Sequence, residues 1–282
     1  IMNKLLNLLE TEKLEAKAQP LVSRFSTQAE LLKPDIKKQL AATAVTPLAI
    51  LFAVGAVLAY IESTKRRVRG PAEISRGLGI RVVGAVPSQR DLSKQLVGPD
   101  GASELEGTPV MESIDALRAA LLHEHATQAI RTVLVTSAVA GEGKTTLAAA
   151  LASSLARAGR KTLLLDGDLR RPSVHQMFEL APQPGFSEVL LEEVPLADAI
   201  VETPLENLWV LPAGQWDREV LLALSRDGVG DIFERIGEEF DFVLIDSHPV
   251  LEAADALHIG RQVDAVLLSV LNGVSQMPRV YA

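Results

Sequence analysis

The stretch SAVAGEGKTT, Ser137–Thr146, decides how the rest of the chain is read. It follows a short β-rich run, RTVLVTS (residues 131–137), and opens an Ala/Leu-rich run, Lys144 to Ala158, with helical character. Gly141, Gly143, Lys144 and Thr145 at this spacing, between a strand and a helix, fit a phosphate-binding P-loop. Ala138 holds the first position, where glycine is usual. The glycines let backbone N–H groups turn inward onto phosphate oxygens, the lysine reaches the outer phosphates, and the threonine hydroxyl suits magnesium. The nucleotide-binding set is therefore expected to be Ala140, Gly141, Glu142, Gly143, Lys144, Thr145 and Thr146. A glycine-rich bend is the alternative, and the strand before it and helix after it argue against that.

Two further acidic stretches fall at the ends of apolar runs. In LLLDGDLRRP (163–172), Asp166 closes a run and Asp168 follows two residues later; in FDFVLIDSHP (240–249), Asp246 closes another. Carboxylates at strand ends can hold a hydrated magnesium or take a proton from an attacking hydroxyl. KTLLLD (161–166), NLWVLP (207–212) and VDAVLLSV (263–270) add apolar runs of strand length, several separated by helical patterns. Such alternation predicts a mostly parallel sheet with helices on both faces, in a P-loop NTPase-like α/β fold, with ligands at the carboxyl ends of the strands. Taken alone LLLDGDLRRP reads as a solvated acidic turn balanced by Arg170 and Arg171, but together with the P-loop and Asp246 it converges on one metal-nucleotide site, for which ATP and Mg2+ are the implied cofactors.

A chain of 282 residues with 48% hydrophobic content can bury a sizeable core. Its formal net charge of -8 opposes nucleic acid as a partner, and the absence of cysteine excludes disulfides, thiolate metal sites and cysteine nucleophiles. The chain begins on Ile1 and ends in MPRVYA without an element-ending signal, so it reads as a piece of a longer protein.

Residues 1–40 are expected to form an extracytoplasmic helical segment, with Leu5, Leu8 and Leu9 on one helix face and Pro20 as its breaker. AATAVTPLAILFAVGAVLAYI (41–61) carries no charge. At about 1.5 Å per residue it would reach across roughly 30 Å of bilayer core, as a transmembrane helix. Lys37 and Lys38 precede it, whereas Lys65, Arg66, Arg67 and Arg69 follow, which puts the C-terminal side in the cytoplasm. Residues 62–110 are expected to be a juxtamembrane linker, with a short helix at Ala72–Gly77, a strand at RVVGAVP (81–87) and a flexible tether at 93–109. The P-loop domain then occupies 111–282. It opens with an amphipathic helix whose apolar positions are Ile114, Leu117, Leu121 and Leu122.

The ordered set GLGIRVVGAVP, SAVAGEGKTT, LLLDGDLRRP, NLWVLPAG and VLIDSHP, preceded by the apolar run, resembles the bacterial tyrosine kinases fused to a chain-length-determinant membrane segment. The resemblance covers about residue 30 to the end. It implies an ATP-dependent protein-tyrosine autokinase of the bacterial inner membrane, active in capsular or exopolysaccharide synthesis. Lys144 would bind phosphates, Thr145 and Asp246 the magnesium, and Asp168 its hydration shell, with Asp166 as base for the tyrosine hydroxyl. The implied partners are further copies of the chain, phosphorylating one another, and the polysaccharide polymerase and export machinery.

Four positions depart from related patterns. Val139 stands where partition-type ATPases carry a signature lysine, which opposes that class. Asp115 stands between Glu112 and Arg118 where the kinase family has an arginine that helps build a ring of subunits. Tyr60 and Tyr281 are the two tyrosines, where the family commonly has a C-terminal cluster, and His248 replaces a proline, a change read as one of loop shape. Asp115 and the lack of a tyrosine cluster motivate a second reading, a kinase-inactive polysaccharide co-polymerase that uses ATP binding as an assembly switch. His123 and His125 are too close for a helical metal pair and read as a solvated helix face.

Overall fold

The computed structural model describes residues 2–17, 46, 47, 49–60, 67–87, 107–181, 183–225 and 229–281. The chain divides into two compact units, Ile1–Ile61 and Glu62–Ala282. The first holds a helix at Met2–Lys17 and helical residues at 46, 47 and 49–60. Along residues 49–60 the apolar side chains are exposed, with Leu51 at 70% and Phe52 at 80%. Among the described residues no helix is long and apolar enough to cross a membrane. Residues 1, 18–45, 48 and 61 of the expected segment and span lie outside the described set, as do 62–66 and 88–106 of the expected linker, the latter including 93–106 of the tether.

In the second unit, helix α1 (Pro71–Leu78) and helix α2 (Pro109–Gln128) precede the sheet. Strand β1 (Thr132–Ser137) leads through the P-loop into α3 (Lys144–Arg157), and β2 (Thr162–Gly167) follows. Three short helices come next, α4 (Val174–Met177), α5 (Phe186–Leu190) and α6 (Leu196–Ala199). Then come β3 (Val201–Glu202), β4 (Leu208–Leu211), α7 (Arg218–Leu224), α8 (Val229–Glu239) and β5 (Phe242–Ser247). Helix α9 (Asp255–Gly260), β6 (Ala265–Ser269) and α10 (Met277–Val280) complete the unit.

The sheet runs β3-β4-β2-β5-β1-β6, and every pairing is parallel except the antiparallel edge pair β3–β4. The expected apolar runs at 131–137, 161–166, 207–212, 240–246 and 263–270 each carry a strand, at 132–137, 162–167, 208–211, 242–247 and 265–269. The two-residue β3 carries no periodic signal of its own. Because side chains alternate across a strand, Leu163 and Leu165 face one core with Phe186, Val220, Phe233 and Ile259, while Leu164 faces the other with Leu117, Leu151 and Leu155. Helices thus cover both faces, and a buried parallel sheet tolerates the near-continuous apolar strands seen here.

Helix α3 is buried on every side. Residues from Ala148 to Ala156 are no more than 1% exposed, and its alanines let it lie close to the sheet beneath the P-loop. Helix α2 packs against α3 through Ile114, Leu117 and Leu121. Thr108 caps α2, its hydroxyl accepting from the Met111 N–H, and Pro109 sits at its first turn where a missing N–H costs least.

RVVGAVP is not a strand: residues 81–87 pair with no strand. Val86 and the backbone at Gly84 approach helix α2 instead, while Val83 stays exposed. A Cβ added at Gly84 would lie 2.9 Å from Leu117 Cδ2, and Val86 packs on the cluster of Val110 and Ile114. Arg81 reaches Glu124 of the same helix at 2.7 Å. β-Branched composition signalled an extended backbone here, but a packing partner and not a ladder holds it.

Candidate active site

The sheet register builds the site. Parallel pairing of β2 and β5 sets Asp166 directly opposite Asp246, and β1 between β5 and β6 delivers the P-loop to the same edge. Gly141 and Gly143 have φ of 84° and 81°, left-handed conformations that open the loop for L-residues only at a cost. Gly143 caps α3, so the amides that follow point out of a helix N-terminus, where backbone N–H groups and the helix dipole favour anions.

Lys144 crosses from the P-loop to the neighbouring loops. Its ammonium donates to Asp168 Oδ2 at 2.7 Å and lies 3.6 Å from Asp246 Oδ1. Burial works against its charge, yet Asp246 and Asp168 outweigh burial and raise its pKa above the ordinary lysine value. The Thr145 hydroxyl donates to Asp246 Oδ2 at 2.6 Å. Asp246 is wholly buried, which pushes its carboxyl up to about 6 against the pull of Lys144 and Thr145. Among the described residues its Oδ1 has no hydrogen-bond partner, only the Lys144 ammonium at 3.6 Å, which leaves a hard oxygen free beside a threonine hydroxyl and a phosphate loop.

Asp166 is held from behind. Its Oδ2 accepts from the N–H groups of Ser173 and Val174 at 3.0 Å each, at the start of α4, and Oδ1 accepts from Asp168 N–H at 3.2 Å. Burial and then the charge of Asp246 push this carboxyl up to about 7, while the two amides pull it back. Asp168 behaves oppositely. Burial raises it, but hydrogen bonds from Lys144 and His248 prevail and hold it below the usual carboxylate range. Environments that drive neighbouring carboxyls apart in this way separate acid, base and charge-pairing roles.

Glu252 escaped the sequence reading, and His248 and Glu142 act otherwise than it expected. His248 is 5% exposed and its Nδ1 lies 2.8 Å from Asp168 Oδ1, so it belongs to the site and is more than a determinant of loop shape. Glu252 Oε1 accepts from the Ala140 N–H at 2.9 Å. Glu142, expected only for its place in the loop, turns its carboxylate back so that Oε2 accepts from Ala138 and Val139 N–H at 2.9 and 3.2 Å. His125, read as solvated, is half-buried against Phe242, with ring centroids 4.9 Å apart, and its Nδ1 meets Ile130 O at 2.9 Å.

A divalent cation fits the donor set. Among the described residues no group of three or more His, Asp or Glu is arranged to cage one. Magnesium is instead usually held by one or two protein oxygens plus phosphate oxygens and water, which the Thr145 hydroxyl and the orphaned Asp246 oxygen would supply.

The family model described as an AAA domain matches residues 130–272. CapB of Staphylococcus aureus, named as a tyrosine-protein kinase, is 31% identical over 163 residues, covering 58% of this chain and 72% of CapB. The chain belongs to the bacterial tyrosine-protein kinase family.

Within that family, the tyrosine-protein kinase etk of Escherichia coli strain K12 is 28% identical over 273 residues, 90% of this chain and 37% of etk. The chain also spans 62% of the tyrosine-protein kinase YwqD of Bacillus subtilis, so it matches only part of several family members. Among solved structures, the BceF tyrosine kinase domain superposes with a TM-score of 0.68 at 29% identity, covering 76% of this chain and 90% of that one. The kinase domain of etk superposes with a TM-score of 0.69 at 26% identity, covering 75% and 86%. At these scores the chain shares its overall fold with both kinase domains.

Proposed function

We propose that this chain is part of a membrane-anchored, ATP-dependent protein-tyrosine autokinase that regulates capsular or exopolysaccharide polymerisation and export. The observation that carries the reading is the meeting of Lys144, Thr145, Asp168 and Asp246 at one edge of the sheet, within hydrogen-bond or ion-pair reach of one another. A site of this composition suits phosphoryl transfer, in which positioning and charge neutralisation supply most of the rate.

Inward-facing amides of residues 140–146 would bind the phosphate chain, and Lys144 would neutralise its outer oxygens. Thr145 and Asp246 would hold Mg2+, which supplies further neutralisation of the phosphates when bound. Asp166 is suited to take the tyrosine proton because burial places its affinity for protons near neutrality, at about 7. The receiving atom is Oδ1, which carries the longer hydrogen bond at 3.2 Å, while Oδ2 stays on its two amides. The γ-phosphoryl leaves ADP and joins the tyrosine oxygen.

The uncharged run 41–61, the exposed apolar side chains along 49–60 and the basic cluster after them support an inner-membrane anchor with the kinase unit in the cytoplasm. Assembly with further copies and with polysaccharide machinery follows the family resemblance.

One observation favours the second reading, a nucleotide-gated co-polymerase without kinase activity. Asp115 Oδ1 accepts from Arg118 at 2.6 Å and from the Ser154 hydroxyl at 2.9 Å, so the charge reversal is absorbed within the chain. Incubation of the natural full-length protein with ATP and magnesium, followed by mass spectrometry for phosphotyrosine, separates the two. Phosphotyrosine that disappears in Lys144→Met supports the kinase; undiminished nucleotide binding without phosphotyrosine supports the switch.

A further inference from the structure

Four contacts form a closed circuit that begins and ends on the P-loop. Lys144 donates to Asp168 Oδ2 at 2.7 Å, and Asp168 Oδ1 meets His248 Nδ1 at 2.8 Å. His248 Nε2 then lies 3.7 Å from Glu252 Oε2, and Glu252 Oε1 accepts from the Ala140 N–H at 2.9 Å. The circuit links all three strand-end loops: those after β1, β2 and β5. His248 and Asp168 are 5% and 3% exposed, so little water competes for their contact.

We infer that His248 is a positioning residue, which fixes the rotamer of Asp168 through Nδ1. A carboxylate without that second anchor could swing about Lys144, carrying its charge away from the phosphates and their cation. Asp168 accepts from the Arg171 N–H as well, but at 3.2 Å and on the same Oδ1, so the imidazole is the shorter anchor. Nδ1 is the donor, because an ionised carboxylate can only accept. Groups that orient metal-site and catalytic carboxylates from behind commonly matter about 10- to 100-fold when removed. The inference rests on the nucleotide-site reading alone, and its central measurement needs no phosphotransfer.

The test compares His248→Asn, His248→Gln and His248→Ala in the full chain. Asparagine places its amide near the Nδ1 position and can keep the donor to Asp168, whereas glutamine reaches toward the Nε2 position and loses it. Fluorescent ADP is titrated with and without Mg2+, with thermal melting alongside, and kcat and KM for ATP are recorded where turnover occurs. The expected result is a fall of about 10-fold in the Mg2+-dependent gain in ADP affinity for the Gln and Ala variants, with Asn within about threefold of wild type. Any kcat should follow the same order, with KM for ATP moving less. Equal loss in Asn and Gln at unchanged melting temperature, or no loss in Gln, overturns the inference; if Ala does not fold, the Asn and Gln pair decides. Absence of phosphotyrosine from the wild-type protein, with the ADP pattern among the variants intact, would count against the kinase reading and leave the positioning role supported.

Discussion

The Thr145 hydroxyl and Asp246 Oδ2 lie 2.6 Å apart although 101 residues separate them in sequence. That bond ties the first turn of α3 to the end of β5. In Thr145→Val, Oδ2 of a wholly buried carboxylate loses its donor while Oδ1 already has none. A loss of about 1–3 kcal/mol is expected, together with loss of the Mg2+-dependent gain in nucleotide affinity. Thr145→Ser should restore both. Urea unfolding and fluorescent-ADP titration check the pair, and a serine variant as poor as valine would refute the hydroxyl's role.

Lys144 is an ammonium shared by Asp168 and Asp246 in a buried setting, with its side chain 10% exposed. Its pKa is raised, so its stabilising charge is fully present at neutral pH and is lost only in strong alkali, above the ordinary value of 10.5. Lys144→Met should therefore cost about 3–5 kcal/mol at pH 8, the range for stranding one half of a buried pair. The penalty should shrink as pH falls through about 6, where Asp246 takes up a proton and no longer needs a counter-charge. Denaturant midpoints at pH 5 and pH 8 test this; an equal penalty at both would contradict it.

Asp166 gives the opposite sign from an ordinary salt-bridged carboxylate. Its folded value of about 7 exceeds the ordinary 3.8, so the folded state binds the extra proton, and stability is lost as pH rises from about 4 to 7. Asp166→Asn cannot ionise, yet its carbonyl can still accept from Ser173 and Val174. Its melting temperature relative to the wild type should rise with pH over that window. Parallel melting curves for the two proteins would show that Asp166 does not carry this proton.

Two glycines should fail for different reasons. At Gly143, with φ of 81°, an added Cβ meets nothing within 4 Å, so Gly143→Ala bears only backbone strain of about 1–2 kcal/mol. At Gly185 the added Cβ would lie 2.1 Å from Pro212 O and 2.5 Å from Gly214 N, both backbone atoms. Gly185→Ala should lose more, about 3 kcal/mol or above. Urea midpoints rank them, and ADP affinity should fall in the Gly143 variant, whose strain re-aims the phosphate-facing amides.

The parallel sheet was legible because its inner strands are buried on both faces and so appear as unbroken apolar runs, and the P-loop because glycines, lysine and threonine must be contiguous to cradle phosphate. Asp166 and Asp246 were visible as the last residues of such runs; their mutual register was not, since strand order is decided by packing far from either. RVVGAVP misled because β-branched residues record extended backbone without saying what it packs on. The contact between His248 and Asp168 spans 80 residues, and nothing beside His248 in the sequence announces it. Glu252 and the inward turn of Glu142 were hidden likewise, being choices of side-chain direction.

Helix α3 has no slack: Ala148, Ala149, Ala150, Ala152 and Ala156 are each at or below 1% exposure, packed against the sheet and α2. A larger residue at any of them would shift the helix and with it every amide at its N-terminus. Evolution is thereby denied the supporting helix as a means of adjusting nucleotide handling. Variation is thereby left to the mouths of the loops, where His248 and Glu252 sit.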